Sequence, residues 1–237
     1  MDRPLLISTL IEHAARQFGK AEIVSRETHG AIHRYTYADA ATRSRRLAGG
    51  LKGFGITYGT RVATLAWNNH RHLEAYFAVS GSGAVLHTCN PRLHPEQLAY
   101  ILNDAEDVAL LFDPTFLPLV EAIALHCPKL LRYVMLTDRA HMPETTRLTG
   151  LMCYEDLLAE CDDPYSWPEF GERALLHVGH DGQPKGGALL ASVDRPAKFR
   201  AQLARHVVAI GTRVRVAHCP NVPCQRVGHS LRGRHER

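Results

Sequence analysis

Long apolar runs are missing from this 237-residue sequence, and none approaches the roughly 20 residues that a membrane-spanning helix needs. No signal peptide is expected either. Met1-Asp2-Arg3-Pro4 leads straight into an amphipathic pattern that already contains Glu12 and His13. The six cysteines, Cys89, Cys127, Cys153, Cys161, Cys219 and Cys224, lack the close spacing of a disulfide framework. They read as reduced thiols in a cytoplasmic protein. Aromatic residues are few, 7% of the chain, and residues 173–237 hold only Phe199, with no Tyr or Trp. A segment without large rings lacks the side chains that bury the most area. Acidic residues run short in the same place. Residues 173–237 hold twelve Lys and Arg against three Asp and Glu, whereas residues 1–172 hold sixteen against twenty-one. The whole-chain charge of +4 is thus the sum of +9 and −5 from two unlike regions. A basic tail raises the expectation of a nucleic-acid or other acidic partner, as a non-catalytic binding protein would have. Without interleaved aromatics for base stacking, no specific nucleic acid is expected.

Residues 1–172 carry the patterning of a folded α/β segment. Leu6, Leu10, Ile11, Ala14 and Phe18 recur at helical spacing, with Gly19 as a stop. Residues 21–25 and 31–35 flank a polar turn at Gly30 and predict a hairpin. Thr36 and Asp39 have capping-box spacing, and the helix that they open ends near Gly53 or Gly55. Strands are predicted over 61–66, 85–89, 108–112 and 131–136. Helices are predicted after Asn68 or Asn69, over 95–103 and over 116–126. From 137 to 168 the pattern weakens to loop, with one short helix at 155–159. Strands alternating with helices predict a mostly parallel sheet with flanking helices. Residues 173–237 are predicted to be poorly ordered.

Gly179-His180-Asp181-Gly182-Gln183-Pro184-Lys185-Gly186-Gly187 has the skeleton of a phosphate-binding loop. Glycines let a backbone approach phosphate oxygens, and a lysine adds a point charge. Gly179, Gly182, Lys185 and Gly186 are the candidate binding residues. The Ser and Thr hydroxyls that such loops usually carry are absent, and Leu176, His177, Val178, His180 and Asp181 stand instead. Asp181 beside a phosphate is repulsive. No catalytic residue is assigned. His218, Cys219, Cys224 and His229 fit no common zinc module, so no metal site is predicted. His70 and His72, two apart on a helix, are expected to take surface or capping roles. Glu106 and Asp107, after Asp104, are expected to form a solvated turn.

Two sets of motifs point to one family. In frame, TYADAATRSRRLAGGLKGFGI, the run from Arg61 to Phe112, and SWPEF resemble the N-terminal part of medium- and long-chain fatty-acyl-CoA ligases. The 3-methylmercaptopropionyl-CoA ligases belong to the same branch. Asn90-Pro91-Arg92-Leu93 followed by Gln97-Leu98-Ala99-Tyr100-Ile101 is the most specific piece. Out of frame, residues 175–187 can be back-translated so that the next reading frame spells CYTSGTTGNPKGA. That resembles the signature loop of adenylate-forming acyl-CoA synthetases. Residues 219–237 in the same frame can spell VPMFHVNAWGIPYAAVMSG, which resembles the segment that follows the loop. The tail from about Arg173 therefore reads as an out-of-frame translation of such a gene. The resemblance implies the large N-terminal domain of an acyl-CoA synthetase-like fold, truncated. It implies an AMP-forming ligase acting on a medium- or long-chain fatty acid, with ATP, Mg2+ and CoA. With the loop hydroxyls gone, this chain is expected to be inactive and to bind none of them productively.

Overall fold

The computed structural model describes residues 6–161 and 165–171, together with the backbone of three strands at 175–179, 189–192 and 215–216. Helix α1 (Ile7–Phe18) packs beside a hairpin of β1 (Glu22–Arg26) and β2 (Ile32–Thr36). Gly30, at φ 100°, makes the turn between them. Helix α2 (Tyr37–Gly53) opens on the predicted capping box. The Asp39 N–H donates to Thr36 Oγ1 at 3.2 Å, and the Thr36 N–H donates to Asp39 Oδ2 at 2.9 Å. Thr36→Ala is expected to cost about 1 kcal/mol, read as a lowered urea midpoint at unchanged m-value.

The main sheet is built from β3 (Arg61–Leu65), β4 (Val85–Thr88), β5 (Ala109–Phe112), β6 (Arg132–Met135), β7 (Leu151–Cys153), β8 (Leu175–Gly179) and β9 (Leu189–Ser192). Its order is β7-β6-β5-β3-β4-β8-β9, and every pairing is parallel except β8 with β9. Helices α3 (His70–Gly81), α4 (Pro95–Asp104), α5 (Leu117–Ala124) and α6 (Tyr154–Ala159) complete the set. Ala-Leu-Leu-Phe in β5 shows how the layers form. Ala109 and Leu111 join a core with Leu47 and Leu51 of α2 and Val79 of α3. Leu110 and Phe112 join the opposite core with Ile101 and Leu102 of α4 and Val120 of α5. A strand covered on both faces has no polar alternation, hence the unbroken apolar run. The expected α/β fold with a mostly parallel sheet is the observed one.

The segment 165–171 straps the sheet side carrying α3. Trp167 Nε1 donates to Glu12 Oε1 at 2.9 Å. A Cβ on Gly81 would lie 2.8 Å from the Trp167 ring, so the ring needs a glycine beneath it.

Two expectations need correction. Residues 151–153 form strand β7, where loop was expected. Three residues are too short a stretch to show alternation, and only the neighbouring edge of β6 makes them a strand. Among the described residues beyond 171, β8 lies parallel to β4, β9 pairs antiparallel with β8, and β10 (Arg215–Val216) lies parallel to β1. An open sheet edge offers unpaired backbone groups to any extended segment that reaches it, whatever its side chains. The second correction concerns Asp107, which is fully buried rather than solvated. Its Oδ2 lies 2.5 Å from His87 Nδ1 inside the sheet. Its neighbour Glu106 does stay at the surface, at φ 55°, with Lys129 and Arg61 as ion partners. A turn residue whose side chain points back under the sheet cannot be told by spacing from one that points out.

Candidate functional site

Open α/β sheets bind ligands at the carboxyl ends of their parallel strands. Gly179 stands at such an end. It is the last residue of β8, in register with Thr88 of β4 on one side and Leu189 of β9 on the other. Gly182, Lys185 and Gly186 lie outside the described residues. The strand that precedes the predicted phosphate loop in sequence is therefore on the sheet, beside β4.

Strands β3 to β7 follow the doubly wound order in which the first strand lies between the second and the third. The reversal falls between β3 and β5. There the chain ties itself together. Asp113, just after β5, accepts from the Trp67 N–H at 2.6 Å and from Asn69 Nδ2 at 2.9 Å. Trp67 Nε1 donates to Thr115 Oγ1 at 3.0 Å, and its ring sits 5.0 Å from that of Phe116. Burial pushes the Asp113 carboxyl up to about 7, against the two N–H donors that favour its charged form.

A dense polar site lies between α2, α3, α6 and the hairpin. Arg43 of α2 donates through Nε to both oxygens of Glu74 at 2.9 and 3.0 Å. Its two Nη atoms reach Glu155 of α6 at 2.9 and 3.0 Å. Arg71 of α3 donates to Glu155 Oε1 at 2.8 Å and to Glu27 Oε2 at 2.5 Å. Glu74 is fully buried and also accepts from the Tyr154 hydroxyl at 2.7 Å. Burial raises the Glu74 carboxyl and Arg43 opposes that rise. For Glu155, burial is outweighed by the two arginines, and its carboxyl falls. Bidentate guanidinium–carboxylate pairs of this kind fix geometry as well as charge.

His70 opens α3 inside this site. Asn69 caps the helix, accepting from the His72 N–H at 2.9 Å, as the sequence predicts. His70 was expected at the surface or as a cap. It is instead completely buried, its backbone N–H donating to Ser25 Oγ at 2.9 Å. Burial, with Arg71 adding to it, pushes its imidazole down to about 2, so the ring is neutral. Only the packing of the hairpin over the helix start places it inside.

Sequence reasoning passed over Arg43, Arg71, Glu74 and Glu155. A signal was present: Arg71 and Glu74 are three apart on α3, and Arg43 follows the buried Ala40-Ala41 pair. Charges set in an apolar helical stripe need buried partners. What these groups do chemically is hold three helices and a hairpin together.

Two curated relatives are a 3-methylmercaptopropionyl-CoA ligase of Ruegeria pomeroyi and a long-chain-fatty-acid–CoA ligase of Thermus thermophilus. They are 48% and 49% identical over 190 and 187 residues, covering 78% of this chain in each case. The chain spans about a third of their length, 35% and 33%. The N-terminal domain of FACL13 from Mycobacterium tuberculosis shares the fold, with a TM-score of 0.62 at 20% identity over 79% of this chain and 44% of that one. Among the described residues no helix is long and apolar enough to cross a membrane. The AMP-binding enzyme profile matches residues 11–163, which hold β1 to β7 and every helix described above except the start of α1. This chain belongs to the AMP-binding enzyme family.

Proposed function

We propose that this chain represents the N-terminal portion of an AMP-forming fatty-acyl-CoA ligase, read out of frame from about Arg173, and that its 237 residues do not by themselves form an acyl-adenylate. The observation that carries this reading is the reach of the likeness. Close to half of the aligned positions match two CoA ligases over 78% of the chain, while that match covers about a third of theirs. The full reaction joins a medium- or long-chain fatty acid to ATP, releases pyrophosphate, and exchanges AMP for CoA in a cytoplasmic setting. ATP would supply the phosphorus that the carboxylate attacks, and Mg2+ would offset the phosphate charge.

The donor set on this chain does not complete that site. Gly179, Gly182 and Gly186 offer backbone N–H groups and Lys185 one cation, the residue types that hold phosphate. The hydroxyl positions carry Leu176, His177, Val178, His180 and Asp181. Each preorganised donor is worth roughly 3 kcal/mol in a transition state, so two missing donors lower adenylation by at least about 10⁴-fold. Asp181 adds repulsion.

ATP–pyrophosphate exchange with octanoate is expected to be undetectable for the purified 237-residue chain. Sequencing the gene across codons 170–180 is expected to show the change of frame and the start of the shifted loop. Restoring that frame through the rest of the gene is expected to restore exchange. Exchange by the chain itself, or codons that cannot encode the shifted loop, would sink this reading.

A further inference from the structure

We propose that Glu27, His33 and His70 form a binding site for one divalent transition-metal ion of the zinc class, at the junction of the β1–β2 hairpin with the start of α3. One ligand atom from each of the three residues lies within 4.8 Å of the others. His70 Nδ1 stands 3.7 Å from Glu27 Oε1, close to the roughly 3.3 Å between neighbouring ligands of a tetrahedral zinc ion. Both ring nitrogens of the fully buried His70, and Nε2 of His33, have no hydrogen-bond partner. An imidazole sealed from water with neither nitrogen satisfied is costly. A metal bond removes that cost.

The donor chemistry fits. Two imidazoles and a carboxylate suit Zn2+, Co2+ and Ni2+ and leave a position for water. The Glu27 ligand is held from outside, as metal ligands usually are, and the backbone that carries His70 is fixed. Glu27 keeps its second oxygen on Arg71, and the backbone N–H of His70 is pinned by Ser25. The surrounding charge is favourable. Glu27, Glu74 and Glu155 carry three negative charges against two on Arg43 and Arg71, so with neutral imidazoles the cluster is left with a charge of −1. Binding demands one movement. The two rings lie stacked, centroids 3.9 Å apart and 16° from parallel, and their lone pairs lie in the ring planes. Both must tilt to converge on one ion. Half-buried His33, on the short hairpin, is the side free to turn.

The test uses the full 237-residue chain stripped with a chelator and titrated with Co2+, then with Zn2+ in competition. One equivalent is expected, with the visible bands of low-coordinate cobalt and no thiolate-to-cobalt charge transfer. His33→Gln is expected to weaken binding at least 100-fold and Glu27→Gln at least tenfold, with unchanged far-ultraviolet dichroism. Cys219→Ser/Cys224→Ser is expected to bind as the parent does. Should His33→Gln disturb the hairpin, the unsubstituted chain supplies a second readout. Zn2+ should shift the ring-nitrogen resonances of two histidines only, assigned as His33 and His70. Thiolate charge transfer, full affinity in His33→Gln, shifts confined to other histidines, or a Kd weaker than about 100 μM would each overturn the site.

Discussion

Replacing Arg43 with methionine is expected to destabilise the fold by about 3–5 kcal/mol, the usual cost of breaking one side of a buried ion pair. Arg43 supplies four of the hydrogen bonds that join α2 to α3 and α6. Without it, fully buried Glu74 keeps only the Tyr154 hydroxyl, and Glu155 keeps Arg71. Methionine fills the space without offering a donor, so the loss reflects an uncompensated carboxylate rather than a cavity. For a unit of this size each kilocalorie moves Tm by about 2–4 °C, so a fall of roughly 6–20 °C is expected. Adding Glu74→Leu should recover at least half of the lost stability, because the stranded charge is then gone. Urea unfolding followed by fluorescence of Trp67 and Trp167 checks both variants. A loss under about 1 kcal/mol for Arg43→Met, or a double variant worse than the single one, would show that the network does not hold the helices together.

The second large effect is a pH dependence centred on Asp113. Its folded-state carboxyl is raised to about 7 by burial, well above the ordinary carboxylate range. A raised acid binds its proton more tightly folded than unfolded. Its contribution is therefore complete below about pH 4 and is lost as pH rises towards 7. A displacement of that size corresponds to roughly 4 kcal/mol. His70 acts in the opposite sense. Its depressed imidazole contributes stability above about pH 6.5 that is lost as pH falls. The parent profile thus mixes the two, and comparison with Asp113→Asn isolates the first. The stability advantage of the parent over Asp113→Asn is expected to shrink from pH 4 to pH 7. A difference that is flat or grows across that window would mean that the Trp67 and Asn69 donors outweigh burial and hold Asp113 ionised.

Much of the fold was legible because local rules and tertiary demands agree. The Thr36–Asp39 capping box, the Asn69 cap, the turn at Gly30 and the apolar runs at 61–66, 85–89, 108–112 and 131–136 each signal an element that the structure contains. These signals act within a few residues, so chain order alone reveals them. The family motifs lie in the same stretch, and the profile match falls there too. Of the predicted loop, Gly179 stands at the end of β8, while Gly182, Lys185 and Gly186 lie outside the described residues.

Contacts distant in sequence were not legible. Arg43 meets Glu155 across 112 residues, and Tyr154 meets Glu74 across 80. No local spacing encodes either pair. His70 and Asp107 looked like surface residues because their neighbours are polar, yet the hairpin and the sheet bury them. Sequence alone set the alternation of strands and helices, the caps, and the family, since backbone preference and apolar period are properties of short segments. Tertiary structure alone decided which charges are paired, which imidazoles are sealed from water and which strands meet. Those outcomes depend on which faces pack together, and packing is settled only when all the elements are in place.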